Sequence, residues 1–252
     1  MAATSAPTDL PAPAPAPRGL QGLLFNPAES GRLFSLMNPV FVPGEGLVVE
    51  FISANPGEGV STLARDFALI ATQYVDGRVL LLDLDGQRGG HHAFFQAAAR
   101  EDPTLAPGPP LTLDLDFGRL LRLPNQAGAE ARQPPLTLHP LGETPLVVSR
   151  LTPAATAAPR VANQPEFWME LRRAVALTVV DAPPAARSFD GIVLCGSMDA
   201  VILVAAAETT RIPVIVELRD KLLAQGAPLA GVILNKRRFY IPQWVYRFLS
   251  RV

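Results

Sequence analysis

The chain has 252 residues, of which 48% are hydrophobic and 18% charged, and its formal net charge is −1. This length and apolar content predict one sizeable core, and the near-neutral charge gives no argument for nucleic-acid binding. The single cysteine, Cys195, excludes an internal disulfide and is typical of a reducing compartment. No apolar run approaches the ~18 residues of a membrane span, and no secretory signal is recognisable. We therefore expect a cytoplasmic protein, with any membrane contact made through a partner or a surface helix.

The N-terminal residues 1–18 are rich in proline and alanine, and we expect them to form a disordered arm because they cannot bury a core. The arm is interpreted as an inert tail, with a tether or a ligand for a groove as the alternatives. Residues 19–252 are predicted to form a single domain whose core spans about 45–236. A short amphipathic helix is predicted at 28–37.

The stretch 50–62 has the pattern of a phosphate-binding loop. An apolar run at 47–53 predicts a buried strand, a glycine-rich turn follows, and helix-periodic apolar positions begin at Leu63. Strand, glycine loop and helix N-terminus, in this order, form the architecture of a phosphate-binding loop.

The loop keeps three features of the pattern G-x-x-x-x-G-K-[ST] and loses one. Ala54 supplies a small first residue, Gly59 the second glycine and Ser61 the hydroxyl, but Val60 stands where the lysine is expected. The two lysines of the chain lie far along the sequence, at Lys221 and Lys236. The missing loop lysine therefore has no neighbour in sequence to replace it.

Two further apolar runs end in acidic residues. The run at 79–82 leads into Asp83 and Asp85, and the run at 177–180 leads into Asp181 and two prolines. Continuous apolar runs are typical of strands buried in a parallel sheet, and ligands bind beyond the carboxyl ends of such strands. We expect Asp83 and Asp181 to serve a metal–phosphate site, with Asp181 in the Walker B position, whereas Asp85 is equally consistent with a solvated turn.

The middle of the chain, residues 86–135, is the least informative part. A helix is predicted at 116–123 and a short strand at 136–141. The adjacent His91 and His92 resemble a metal-site fragment, but no cysteine or acid lies at a ligand spacing that supports one.

The second half of the chain alternates helices and strands. Helices are predicted at 164–174 and from Thr209, where a hydroxyl would cap the first turn, and strands at 200–206 and 229–235. Such alternation predicts an α/β fold, a mostly parallel twisted sheet flanked by helices on both faces.

A basic and aromatic segment, 236–249, follows the last predicted strand. Its apolar residues share one helical face: Trp244, Val245, Phe248 and Leu249. We interpret it as a terminal helix docked on the sheet, with contact to a partner or to anionic lipid as the alternative.

Four motifs occur in order and carry a resemblance to a known family. They are Ala-Asn-Pro-Gly-Glu-Gly-Val-Ser-Thr at 54–62, Leu-Leu-Asp-Leu-Asp at 81–85, Val-Val-Asp-Ala-Pro-Pro at 179–184 and Gly-Val-Ile-Leu-Asn at 231–235. Together they resemble the cytoplasmic domain of bacterial tyrosine kinases (Wzc and CapB-like) that regulate capsule and exopolysaccharide export. That family belongs with the MinD/ParA-like P-loop ATPases.

The resemblance implies a site for ATP and Mg²⁺. Backbone amides of the loop would cradle the phosphates, Ser61 would ligate magnesium and Thr62 would reach the α-phosphate. Asn235 would lie at the adenine edge. The residues implied to bind the cofactor are Gly57, Glu58, Gly59, Val60, Ser61, Thr62, Arg88 and Asn235.

Three acids complete the implied site. Asp83 would act near the γ-phosphate and the metal, with Asp85 beside it, and Asp181 would lie on the metal shell. The implied metal ligands are therefore Ser61, Asp83 and Asp181, and the implied catalytic residues are Asp83, Asp85 and Asp181.

The chain also departs from the family. The loss of the lysine at Val60 is expected to lower the rate about 10²–10³-fold, since one preorganised charge is missing from the site. Arg88 is the one arginine kept after the second acid, and it could supply part of that charge. The family's C-terminal tyrosine cluster is reduced to Tyr240 and Tyr246.

These observations favour a nucleotide-binding regulator or scaffold of exopolysaccharide synthesis and export that is weakly active or inactive. Its expected partner is a membrane polysaccharide co-polymerase, or chain-length determinant protein, and a homo-oligomer is possible. The alternatives are an active tyrosine autokinase or ATPase, a MinD-like ATPase that reaches the membrane through its C-terminal segment, and a protein-binding module without nucleotide.

Overall fold

The computed structural model describes residues 45–86, 90–122, 134–152 and 160–237. Several parts singled out from the sequence lie outside these residues: the arm at 1–18, the helix predicted at 28–37, Arg88, Tyr240 and Tyr246, and the aromatic face of the C-terminal segment.

Strands and helices alternate through most of the described chain. The strands are β1 Leu47–Ser53, β2 Val79–Asp83, β3 Leu121–Arg122, β4 Leu136–Pro140, β5 Leu146–Leu151, β6 Arg160–Val161, β7 Leu177–Asp181, β8 Ala200–Ala206 and β9 Leu229–Asn235. The helices are α1 Val60–Ala71, α2 Gly90–Ala98, α3 Pro165–Ala174, α4 Asp190–Leu194 and α5 Ile212–Ala224.

Seven of these strands form one sheet, in the order β4-β5-β2-β7-β1-β8-β9. All neighbours are parallel except β4 and β5, which pair antiparallel at one edge. Every residue of β1, β2, β7 and β8 is buried, as their continuous apolar runs require. The predicted mostly parallel sheet is therefore confirmed.

Helices cover both faces of this sheet. Val48 and Ile52 of β1 belong to the core that contains α3, α4 and α5, whereas Val49 and Phe51 belong to the core that contains α1 and α2. Because successive side chains of a strand point to opposite faces, β1 contributes to both cores. No helix among the described residues is long and apolar enough to cross a membrane.

The helix predicted at 116–123 is wrong. Asp116 accepts a hydrogen bond from the amide of Gly118 and caps a single 3₁₀ turn, Phe117–Arg119. The chain then extends into β3, where Leu121 pairs antiparallel with Val161 of β6. Pro124 follows shortly after, and a proline disfavours helix in the residue before it.

The helix predicted from Thr209 begins later, at Ile212, with Arg211 as its N-cap. The Thr210 hydroxyl instead accepts from the amide of Ala206 at 3.1 Å and closes the turn after β8. Pro213 lies in the first turn, where its missing N–H is not needed.

Candidate nucleotide site

The fold brings the predicted loop and two of the predicted acids to one edge of the sheet. β1, β2 and β7 are adjacent and parallel, so their carboxyl ends meet at this edge. Asp83 ends β2 and Asp181 ends β7, and the two are directly paired in the sheet register. Phe51, just before the loop, is the partner of Asp181 on β1.

The loop 54–59 is held by its own glutamate. The buried Glu58 carboxylate accepts hydrogen bonds from the amides of Ala54 and Asn55, both at 3.1 Å. The Thr210 hydroxyl, at the start of the turn before α5, also donates to it. Glu58 therefore fixes the shape of the loop from inside, a role that the sequence pattern does not reveal.

Asn235, at the end of β9, supports the loop from the opposite side. Its amide nitrogen donates to the Glu58 carbonyl at 2.9 Å. Gly59 has φ +100°, and a Cβ built on it would lie 2.1 Å from this nitrogen. Gly59 is thus required both by its backbone conformation and by the close approach of Asn235. The adenine role implied for Asn235 stays a prediction.

An open cavity of about 780 Å³ lies over the loop. Most of the predicted site residues line it: Gly57, Glu58, Gly59, Val60, Ser61, Thr62, Asp83, Asp85 and Asp181. Ser61 and Thr62 belong to the first turn of α1, where backbone N–H groups lack helical partners. The edge of the sheet therefore offers N–H donors, hydroxyls and carboxylates to one cavity.

Asp83 is committed to the backbone in this structure. One carboxylate oxygen accepts from the amides of Asp85 and Gly86, at 3.0 and 2.8 Å, and the other accepts from the amide of His91 at 3.1 Å. Burial raises the pKa of this carboxyl above its usual range, while the His91 ring and the amide donors partly oppose that shift. Asp83 therefore attaches the start of α2 to the sheet.

His91 lies in the site, although the spacing of residues in the sequence did not predict it there. Its Nε2 lies 3.0 Å from Oδ2 of Asp181, and both side chains are buried. His91 Nδ1 and Asp181 Oδ1 have no hydrogen-bond partner among the described residues. No cysteine or acid lies at a ligand spacing from His91 in the sequence, but the fold places Asp181, 90 positions away, beside it.

Three basic side chains also line the cavity, although no motif marked them. Arg65 of α1 stacks on the Phe94 ring, with its guanidinium carbon 3.5 Å from the ring centroid, and burial lowers its pKa. Arg187 forms an ion pair with Asp85. Lys236 donates from Nζ to the Gly57 carbonyl at 2.5 Å.

Among the described residues, no group of three or more His, Cys, Asp and Glu side chains is arranged to hold a metal ion. Magnesium does not need such a group of side chains, because it is usually held by one or two protein ligands together with the phosphates of a nucleotide. Ser61 and Asp181 both line the cavity, and the buried Oδ1 of Asp181 has no hydrogen-bond partner in the part of the chain that the structure describes. These two residues fit the implied magnesium, whereas both carboxylate oxygens of Asp83 already accept hydrogen bonds from backbone amides.

Solved structures with the same fold include two kinase domains. The kinase domain of VpsO matches with a TM-score of 0.54 and 23% identity, over 82% of this chain and 92% of that one. The kinase domain of the Escherichia coli tyrosine kinase ETK matches with a TM-score of 0.55 and 19% identity, over 84% and 76%.

A third structure comes from the MinD/ParA-like group. McdA from Cyanothece in its apo form matches with a TM-score of 0.50 and 16% identity, over 75% of this chain and 71% of that one. No protein-family model and no curated protein matches the chain. The motifs predicted this fold correctly: the chain has the P-loop fold shared by bacterial tyrosine kinase domains and MinD/ParA-like ATPases.

Proposed function

We propose that this protein is an ATP-binding regulator or scaffold of exopolysaccharide or capsule synthesis, with little or no kinase activity. The observation that carries the proposal is the cavity over the loop, which keeps Ser61 and Asp181 while Val60 replaces the lysine. Val60 is 7% exposed and packs in the core, so its side chain offers nothing to a phosphate.

ATP fits the donors that line this cavity. The N-terminus of α1 and the loop present backbone N–H groups, and the helix dipole favours an anion at the same place. Ser61 and Asp181 would hold magnesium, which neutralises phosphate charge when it is bound. Binding therefore retains most of its usual partners without the loop lysine.

Catalysis is expected to suffer more than binding. A missing preorganised charge lowers a phosphoryl-transfer rate about 10²–10³-fold, because that charge stabilises the transition state. Asp83, the acid implied to act near the γ-phosphate, accepts three backbone N–H bonds in this structure. These two features favour a protein that responds to nucleotide over one that turns it over rapidly.

The partner is proposed from the resemblance and from the shared kinase-domain fold. A membrane polysaccharide co-polymerase, or chain-length determinant protein, would bring the domain to the inner face of the cell membrane. Contact with lipid would then be indirect or made by the C-terminal segment beyond residue 237. Self-association is part of the same proposal, and nucleic acid is not an expected partner.

Calorimetric titration with ATP and Mg²⁺ tests the proposal on the wild type and on Val60→Lys. We expect wild-type binding at micromolar levels, and tighter binding by Val60→Lys. Absence of heat from the wild type, with binding restored in the variant, would show that the site has lost its ligand. The protein would then be studied as a scaffold alone.

An active tyrosine autokinase is the second candidate, favoured by the basic side chains Arg65, Arg187 and Lys236 around the cavity. Mass spectrometry after incubation with ATP and Mg²⁺ separates it from the first. Phosphotyrosine on the purified wild type, absent from Asp181→Asn, would replace the regulator with the kinase.

A further inference from the structure

Lys236 directly follows the last strand of the sheet, and its side chain reaches the phosphate loop. The Nζ atom donates to the carbonyl of Gly57 at 2.5 Å, although 179 positions separate the two residues in sequence. Both line the cavity. We propose that Lys236 is a phosphate-binding cation of this site, which supports nucleotide binding without standing at the position of the lysine that the loop lacks. The inference rests on the proposed nucleotide binding and assigns its charge to one residue.

Lys236 is better placed for this role than the two arginines of the cavity. Arg187 is already paired with Asp85. Arg65 stacks on Phe94 and feels the negative charges of Asp66 and Asp181. Lys236, in contrast, contacts a neutral carbonyl.

The present partner of each cation determines how readily that cation can exchange it for a phosphate. A hydrogen bond between an ammonium and an anionic oxygen is about twice as strong as one between neutral groups. If Arg187 leaves Asp85, it gives up one charged partner for another. The ammonium of Lys236 exchanges a carbonyl for a phosphate, and the exchange is favourable.

The backbone holds Lys236 in an unusual conformation toward the loop. Its φ is +58°, which is uncommon for a residue with a side chain. Its amide donates to the Asn235 side-chain oxygen at 2.8 Å, while the Asn235 nitrogen donates to the Glu58 carbonyl. Such conformations persist where the surroundings hold them, and they cluster at ligand sites. The start of the lysine side chain is thus tied to the loop that it would serve.

The chain contains one other lysine, which provides a matched control. Lys221 lies on α5, and its Nζ pairs with Glu217 at 2.7 Å on an exposed helix surface. Both lysines carry the same charge and both are exposed, but Lys221 does not line the cavity. A general effect of positive charge on ATP binding would involve both residues, whereas the proposed role involves Lys236 alone.

The first test is calorimetric binding of ATP with Mg²⁺ to the wild type, Lys236→Ala and Lys221→Ala. We expect Lys236→Ala to weaken binding about ten- to hundredfold, as the loss of a charged hydrogen bond predicts. Lys221→Ala is expected to match the wild type. In the double variant Val60→Lys/Lys236→Ala, a lysine on the loop should restore binding, because it returns the charge to the same phosphates.

A second measurement uses the unmodified protein and avoids any question of folding. Acetic anhydride acylates exposed lysines, and peptide mass spectrometry reports the extent at each of the two. ATP with Mg²⁺ should protect Lys236 several-fold and leave Lys221 unchanged.

The outcomes separate this inference from the function on which it rests. If the wild type does not bind ATP, the proposed function fails and the inference with it. If the wild type binds ATP, but Lys236→Ala binds equally well and ATP leaves acylation of Lys236 unchanged, the inference alone is overturned.

Discussion

Glu50 is fully buried in the middle of β1, and neither of its carboxyl oxygens has a hydrogen-bond partner among the described residues. Burial raises its pKa well above the usual value, because water no longer solvates the charged form. The folded protein therefore keeps a proton on Glu50 at a pH where the unfolded chain has released it. By linkage, this group lowers stability progressively as the pH rises above the unfolded pKa of about 4.3.

Glu50→Gln is expected to raise the free energy of unfolding at about pH 8 by roughly 1–3 kcal/mol, because glutamine cannot ionise and the unfolded state loses the stabilisation that deprotonated glutamate gives it. The gain should shrink as the pH falls toward about 4, because below the unfolded pKa of about 4.3 both states keep the proton. Urea unfolding over this range measures both effects. Glu143→Gln is the control, since Glu143 is exposed. Parallel pH curves for the wild type and Glu50→Gln would contradict the buried, protonated carboxyl.

Gly59 and Gly57 form a matched pair within the phosphate loop. Both have positive φ, +100° and +81°, but a Cβ would lie 2.1 Å from the Asn235 amide nitrogen at Gly59 and would meet nothing within 4 Å at Gly57. Gly57→Ala is expected to cost about 1–2 kcal/mol from backbone strain alone. Gly59→Ala should cost more, because Asn235 must also move.

Chemical denaturation of the two alanine variants measures this difference, and calorimetry with ATP shows whether it extends to binding. The side-chain support of the loop by Asn235 predicts that Gly59→Ala weakens binding more than Gly57→Ala does. Equal losses of stability in Gly57→Ala and Gly59→Ala would mean that the Asn235 side chain moves away without cost and does not hold the loop in place.

At the scale of elements, α2 is attached to the sheet through Asp83. Its first-turn amide at His91 donates to the carboxylate, and two more amides of the connecting turn do the same. Asp83→Asn is expected to destabilise the protein by about 1–3 kcal/mol without any nucleotide, since an amide nitrogen cannot accept these bonds.

Asp85→Asn is the comparison, because Asp85 forms a partly exposed ion pair with Arg187, and such pairs contribute about 0–1 kcal/mol. Amide hydrogen exchange locates the effect: Asp83→Asn should accelerate exchange in α2 and leave α5 unchanged. If the variant is as stable as the wild type, Asp83 has no structural role and is available for a metal.

The elements also show which parts of the fold the sequence could predict. β1, the loop and α1 were predicted correctly because their signals are local, an apolar run followed by glycines and a helical period. The start of α5 was misplaced because Thr210 bonds back to Ala206. The Thr210 hydroxyl accepts from the Ala206 amide instead of capping α5, and a capping pattern in the sequence does not show this.

The contacts that complete the site belong to the whole molecule. His91 meets Asp181 across 90 positions, and Lys236 meets Gly57 across 179. Both pairs depend on strand order, since β7 lies between β2 and β1, and β9 lies beyond β8. Motifs predicted which strand ends carry acids, but they do not specify the strand order that places His91 beside Asp181 and Lys236 beside the loop.

Labelling of Cys195, the single thiol of the chain, can measure the global unfolding of the molecule. The thiol is fully buried, and burial is the main cause that raises its pKa to about 11. At pH 8 the folded protein would therefore hold thiolate at a fraction on the order of 10⁻³. We expect iodoacetamide to label Cys195 at least ~10³-fold more slowly in the native protein than in urea.

Because the thiol lies in the core shared by β1, α4 and α5, labelling should require global opening. Intact-mass measurements across a urea series should then give the same midpoint as circular dichroism. ATP with Mg²⁺ should slow labelling further, since a ligand of the folded state lowers the open population. Rapid labelling without urea would mean that the segment around Cys195, just after α4, opens separately from the sheet.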